Sequence, residues 1–256
     1  MALLELQRLN KNFGGLAAVS SLDLAVPEGE ILGLIGPNGS GKTTVFNLIT
    51  GFHSPSSGNV VFRGEDIGGK LPHVVSARGI GRVFQLTALF RESTVLENVV
   101  IAYHTAARTS WGGVLNTPAA RKEEREIEGR ARQVLELVGL KGAEEKMAIA
   151  LPYGHQRALS VAIALATNPK LLLLDEPVTG MNAQEIAAMM SLIRRLRERG
   201  ITLIVVEHHM KTIMELCQRI VVLNYGKKIA EGTPQEVSRN GEVIEAYLGV
   251  EDALRG

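Results

Sequence analysis

Short apolar runs closed by turn residues alternate along this chain with longer amphipathic stretches. Leu4, Leu6 and Leu9, then Val19, Leu22, Leu24 and Val26 before a turn at Pro27-Glu28-Gly29, predict β-structure over residues 1 to 30. Ile31-Leu32-Gly33-Leu34-Ile35 is apolar at every side-chain-bearing position, the pattern of a strand buried on both faces. A helix is expected over 42 to 50, stopped by Gly51, with strands near 59 to 62 and 79 to 84. Beyond Gln85 the period lengthens: residues 121 to 139 are charged, with Ala131, Val134, Leu135 and Val138 at helical spacing, and the stretch from Trp111 through Gly112-Gly113 to Pro118 reads as a loop insertion. Alternation then resumes: a helix around 159 to 166, a strand at 170 to 174, a helix at 183 to 199, a strand at 201 to 206, a short helix near Met210, and a strand at 219 to 223. A turn at Asn224-Tyr225-Gly226-Lys227 leads to a last strand at 228 to 230. The predicted architecture is one α/β domain: a mainly parallel sheet built from about 1 to 86 and 158 to 256, an antiparallel flank, and a helical block inserted at about 87 to 157.

The loop after the first buried strand carries the clearest chemistry. Gly36-Pro37-Asn38-Gly39-Ser40-Gly41-Lys42-Thr43 fits the P-loop pattern between a strand and a helix. Glycines let successive N–H groups and the helix N-terminus converge on phosphate oxygens. Lys42 is expected on the β- and γ-phosphates, Thr43 on Mg²⁺ and Thr44 on the α-phosphate. The run Leu171 to Leu174 followed by Asp175-Glu176 supplies carboxylates at a strand end, where ligands of such sheets bind. Asp175 is expected to hold Mg²⁺ through water, and Glu176 to polarise the attacking water as general base.

Bulk properties narrow the setting without naming a partner. At 256 residues the chain can bury a large core unaided. Basic and acidic side chains nearly cancel, 28 against 27, so charge balance predicts neither nucleic acid nor an anionic membrane as the main partner. Cys217 is the single cysteine, which excludes an internal disulfide and suits a reducing compartment. The N-terminus lacks a basic region followed by a long apolar stretch, and no run reaches the roughly 20 residues of a membrane span. Membrane work would need docking on other subunits.

Between these two motifs, and 21 residues before Asp175 counted from Gly154, lies Leu151-Pro152-Tyr153-Gly154-His155-Gln156-Arg157. With the P-loop and Asp175-Glu176 it makes nearly the whole chain resemble the nucleotide-binding subunit of an ATP-binding-cassette (ABC) transporter. The resemblance implies a P-loop NTPase fold with a RecA-like core, Mg-dependent ATP hydrolysis, and two cassettes sandwiching two ATP molecules. By the same resemblance Phe13 stacks on adenine, Gln85 senses Mg²⁺ and the attacking water, and His208, in preference to His209, reaches the γ-phosphate. The segment containing Tyr153, Gly154 and His155 caps the ATP of the second subunit in trans. Two positions depart from the family pattern. Pro152 stands where a serine hydroxyl is usual, so the Gly154 N–H and the helix dipole are expected to carry the trans contact; Asn182 replaces a common aspartate.

Phe13-Gly14-Gly15-Leu16, Gln85-Leu86-Thr87-Ala88-Leu89-Phe90, Glu97-Asn98-Val99-Val100, the insertion at 105 to 125, Glu207-His208-His209-Met210-Lys211 and Val243-Ile244-Glu245-Ala246-Tyr247-Leu248-Gly249 are similar to the larger ATPase of branched-chain amino acid importers. That resemblance implies two membrane permeases, a second cassette of the same or a homologous kind, an extracytoplasmic solute-binding protein as an indirect partner, and a peripheral place on the cytoplasmic face of the inner membrane. The rival class is a soluble ABC ATPase acting on nucleic acid or ribosomes. It would ordinarily bring a fused second cassette or coiled-coil or zinc insertions, none visible here, and the balanced charge leaves no nucleic-acid footprint.

Overall fold

The structure, a computed structural model, describes residues 2–85, 89–107 and 118–253. The expected features at 86–88 and at 108–117 lie outside the described residues. Two sheets form the frame. Strands β1 (Ala2–Phe13), β2 (Leu16–Pro27), β4 (Ser57–Phe62) and β5 (Glu65–Asp66) make an antiparallel sheet in the order β2-β1-β4-β5. The second sheet runs β10-β9-β3-β8-β7-β6 and comprises β3 (Ile31–Ile35), β6 (Ile80–Val83), β7 (Leu171–Asp175), β8 (Thr202–Val206), β9 (Arg219–Asn224) and β10 (Lys227–Gly232). Its pairs are parallel except for the hairpin β9–β10.

The all-apolar strands alternate their side chains between two cores. Leu32, Leu34, Leu171 and Leu173 enter one with Phe46 and the antiparallel sheet; Ile31, Ile35, Leu172 and Leu174 enter the other with the helical block. The inner strands β3, β7 and β8 are therefore buried on both faces. In the hairpin turn, Tyr225 and Gly226 both take positive φ, 45° and 77°, as a two-residue turn requires.

Helix α1 (Lys42–Ile49) follows the P-loop, and α2 (Pro72–Ala77) is a short helix that the apolar pattern does not predict. The inserted block holds α3 (Val95–Ala107) and α4 (Pro118–Leu137), the latter three residues ahead of the expected start at 121. At the boundary expected near 157, α5 (Tyr153–Leu165) is continuous, starting beside the helical block and ending beneath the central sheet. Helices α6 (Ala183–Glu198) and α7 (Met210–Leu216) match the expected positions, and α8 (Pro234–Ser238) and α9 (Gly241–Ala253) add a helical end. Among the described residues no helix is long and apolar enough to cross a membrane.

Cys217 lies buried between α7 and β9, its sulfur 3.1 Å from where a Cβ on Gly33 would stand. Burial, with Glu30 nearby, pushes the thiol up to about 12. Since the thiolate is the nucleophile, the folded chain is expected to leave an aromatic disulfide reagent unreacted at pH 8 and to titrate one thiol per chain in urea; fast labelling under native conditions would contradict this packing.

Candidate functional site

Four neighbouring parallel strands, in the order β3-β8-β7-β6, end level with one another. Leu34 pairs with Val206, Asp175 with Val206, and Leu174 with Val83. The loops leaving these ends carry the P-loop, Glu207 and His208, Asp175 and Glu176, and Gln85, so parallel pairing alone gathers the predicted chemistry along one edge.

Two glycines shape the P-loop by close approach. A Cβ on Gly36 (φ 149°) would lie 2.1 Å from the Leu223 carbonyl, and one on Gly41 (φ 105°) 2.5 Å from the Ala18 carbonyl. Lys42, Thr43 and Thr44 open α1 behind Gly41. The Lys42 ammonium is buried, donating to the Gly36 carbonyl at 2.7 Å, the Pro37 carbonyl at 2.9 Å and Ser40 Oγ at 3.4 Å. Burial lowers its pKa, while Glu176 and Asp175 pull the other way. It is a cation held by neutral oxygens.

Glu176 turns the chain out of β7 through a left-handed conformation, φ 48°, that costs a non-glycine residue about 1–3 kcal/mol. Its N–H still bonds the Val206 carbonyl at 2.8 Å, so the strand ladder holds the bend. The bend presents the carboxylate to three donors. Gln85 Nε2 donates to Oε2 at 2.6 Å, His208 Nε2 stands 3.0 Å from Oε1, and the Thr179 hydroxyl donates to Oε2 at 3.3 Å. The two histidines separate clearly: His209 caps α7, its Nδ1 accepting from the Thr212 N–H at 3.3 Å, whereas His208 faces Glu176. Glu207 sets that divergence. Buried, it accepts N–H bonds from Val178 at 2.8 Å, His208 at 3.1 Å and His209 at 3.4 Å; burial pushes its carboxyl above the usual range and the three N–H groups oppose the shift.

Asp175 is bound by a residue whose role the motif reading missed. Arg82 of β6 donates to Asp175 Oδ2 at 2.8 Å and to Asn47 Oδ1 of α1 at 2.7 Å, with its guanidinium 4.5 Å from the centre of the Phe84 ring. Both charged side chains are nearly out of water, 6 % and 11 % exposed, and the Arg82 Nε is buried without a partner. The signal was available: an arginine inside an apolar strand has to be paired.

Phe13 ends β1 and is 43 % exposed, its ring centre 5.2 Å from that of His53 in a T-shaped contact and 5.0 Å from the Lys11 ammonium. At the start of α5, Pro152 is the N-cap residue, with Tyr153, Gly154 and His155 in the first turn. The Gly154 N–H, expected to be available for a trans contact, donates within the chain to Glu185 Oε1 at 3.2 Å. The other oxygen of Glu185 accepts the Asn182 N–H at 3.0 Å, and Asn182 Oδ1 accepts from Gln184 and Glu185, both at 3.0 Å. One carboxylate thus joins the N-termini of α5 and α6. The capping pattern Asn182-x-x-Glu185 is legible in sequence; its reach to Gly154 is not.

The oxygen set of Thr43, Asp175 and Gln85 fits a hard divalent cation, and the P-loop cradle, closed to any side chain at Gly36 and Gly41, fits a polyphosphate. The arrangement defines a nucleoside triphosphatase of the cassette type. Residues 19–179 match the family model described as ABC transporter, and residues 227–253 match that of branched-chain amino acid ATP-binding cassette transporters. The chain belongs to the ABC transporter ATP-binding family. It is 42 % identical to the high-affinity branched-chain amino acid transport ATP-binding protein BraF of Pseudomonas aeruginosa, over 96 % of this chain and 98 % of that one. It is 41 % identical to LivG of Escherichia coli over the same shares. A nucleotide-free cassette from an ABC transporter superposes with TM-score 0.85 at 31 % identity, covering 96 % of this chain and 99 % of the other. The ADP conformation of the cassette MJ1267 also gives 0.85, at 30 % identity over 97 % and 99 %.

Removing one partner of a buried ion pair strands the other charge. Arg82→Met is expected to lower the unfolding free energy by about 3 kcal/mol, and Arg82→Met with Asp175→Asn to recover much of that loss, read from urea unfolding. A loss in the double variant equal to the sum of the losses of Arg82→Met and Asp175→Asn measured separately would show that the pair carries no coupling.

Proposed function

We propose that this chain is the ATP-hydrolysing subunit of an importer for branched-chain amino acids, working on the cytoplasmic face of the inner membrane with a second cassette, two permeases and an extracytoplasmic binding protein. The observation that carries the catalytic part is the Glu176 carboxylate, held by Gln85 at 2.6 Å and by His208 at 3.0 Å at the edge where the P-loop ends. The choice of importer is supported by the match of residues 227–253 and by the names of BraF and LivG.

In this reading Phe13 stacks on adenine, the P-loop amides and Lys42 hold the phosphates, and Thr44 contacts the α-phosphate. Thr43, Gln85 and Asp175 would hold Mg²⁺, which when bound would supply positive charge against the phosphates. Glu176 takes the proton of the attacking water; Gln85 and His208 orient that carboxylate, and His208 then donates toward the γ-phosphate. The first turn of α5 faces the nucleotide of the second cassette, so closure is driven by contacts made only in the closed dimer. Surface around Gln85 passes that motion to the permeases.

Glu176→Gln is expected to keep ATP binding and to lower phosphate release from the reconstituted transporter by about 10²–10⁴-fold; a wild-type rate would remove Glu176 from the base role. Deleting the gene is expected to abolish high-affinity leucine, isoleucine and valine uptake, and unaltered uptake of all three would reject the substrate assignment. Pro152→Ser adds a hydroxyl to the α5 N-terminus. It is expected to leave ATP affinity of the isolated subunit within about twofold while strengthening ATP-driven dimerisation; altered monomer affinity would place the segment in its own subunit's site instead.

A further inference from the structure

Arg157 stands one turn into α5 and is 2 % exposed, although among the described residues no carboxylate lies within ion-pair distance of it. One terminal nitrogen donates to the Phe84 carbonyl at 3.1 Å, Nε donates to the Tyr153 hydroxyl at 3.1 Å, and the guanidinium lies 5.4 Å from the Tyr153 ring centre. Burying a cation among neutral groups is expensive, and simple helix packing does not call for one. The planar fork does supply two directions at once, fixing a backbone carbonyl on another element relative to its own helix.

Phe84 is gripped from its other side as well. Its ring faces the Arg82 guanidinium, which holds Asp175 and, through Asn47, the P-loop helix. The next residue, Gln85, bonds Glu176. Residue 84 thus has its carbonyl tied to α5 and its ring tied to the carboxylate expected to hold Mg²⁺. A ligand that drew Gln85 off Glu176, or the Asp175 charge off Arg82, would remove a contact on which residue 84 rests, and the Arg157 bond to the Phe84 carbonyl is the link from there to α5.

We propose that Arg157 is a positioning residue which, through Phe84, couples occupancy of a chain's own P-loop to the first turn of its α5. The use made of this coupling, presenting α5 to a second cassette's ATP, rests on the reading under Proposed function; the coupling itself belongs to one chain. A subunit with its own site filled would then be the one whose α5 is set for its partner.

The test is hydrogen exchange on the full chain, at a concentration where sedimentation shows monomer, with and without saturating Mg²⁺ and the non-hydrolysable analogue AMP-PNP. In the wild type, nucleotide is expected to change exchange at the amides of 153–157 by about threefold or more. Arg157→Lys keeps the charge but loses the fork, and is expected to lose that response at equal saturation. Phe84→Leu keeps the carbonyl and removes the ring from Arg82, and is expected to do the same; it carries the test if Arg157→Lys does not fold. Simple destabilisation raises exchange with and without nucleotide alike and leaves the difference in place. A full response in either folded variant, or none in the nucleotide-bound wild type, overturns the proposal, whereas failure of α5 to act in trans would appear only as absent ATP-driven dimerisation.

Discussion

Parallel pairing of β3, β8, β7 and β6 is the constraint on which the rest of this molecule depends. Parallel strands side by side must all end at the same edge, and an apolar run on both faces keeps water from loosening them. The P-loop, the Asp175-Glu176 pair, the Glu207-His208 turn and Gln85 come from four distant parts of the chain and meet only because Leu34, Val206, Leu174 and Val83 lie level in the sheet. The strained backbone at Glu176 is affordable in this setting, since its N–H remains in the ladder through Val206.

Charge at that edge is internally balanced. Lys42 rests on backbone carbonyls, Arg82 on Asp175, and Gln85 and His208 on Glu176. If nucleotide binds this edge as proposed, it would meet these contacts on several elements at once: Lys42 and Asn47 on α1, Arg82 on β6, and His208 in the loop after β8. The unpartnered Arg82 Nε marks where this network is least saturated.

The sequence made most of this plain, for identifiable reasons. Strands such as Leu171–Asp175 and Thr202–Val206 are apolar runs bounded by turn residues, and the phosphate loop has a pattern few other structures need. Short helices were harder: α2 and α8 are six and five residues long, too short to display a helical period. The boundary expected near 157 falls inside α5, because one helix packs against both parts. Within the site, motif positions were legible and their partners were not. Glu176 could be read from Asp175-Glu176, but Arg82 on Asp175 is separated from it by 93 residues and Glu185 on Gly154 by 31, and periodicity carries no information about such pairs.

Gly154 shows why such unseen partners matter. A Cβ on Gly154 would lie 2.7 Å from Glu185 Oε1 and 2.9 Å from its Cδ, so a larger residue there has to displace the Glu185 side chain that holds the Gly154 N–H. The N–H that a second subunit's nucleotide would need is held by a carboxylate, itself an anion at a helix N-terminus. Phosphate and carboxylate would compete for the same dipole, and Pro152 supplies no donor to stand in for the Gly154 N–H. In the proposed dimer, closure would therefore have to move Glu185, and with it the cap of α6, or leave Gly154 bound and use the neighbouring amides of Tyr153 and His155. Either route makes the junction between α5 and α6 part of the nucleotide response, at the same helix end that Arg157 ties to Phe84.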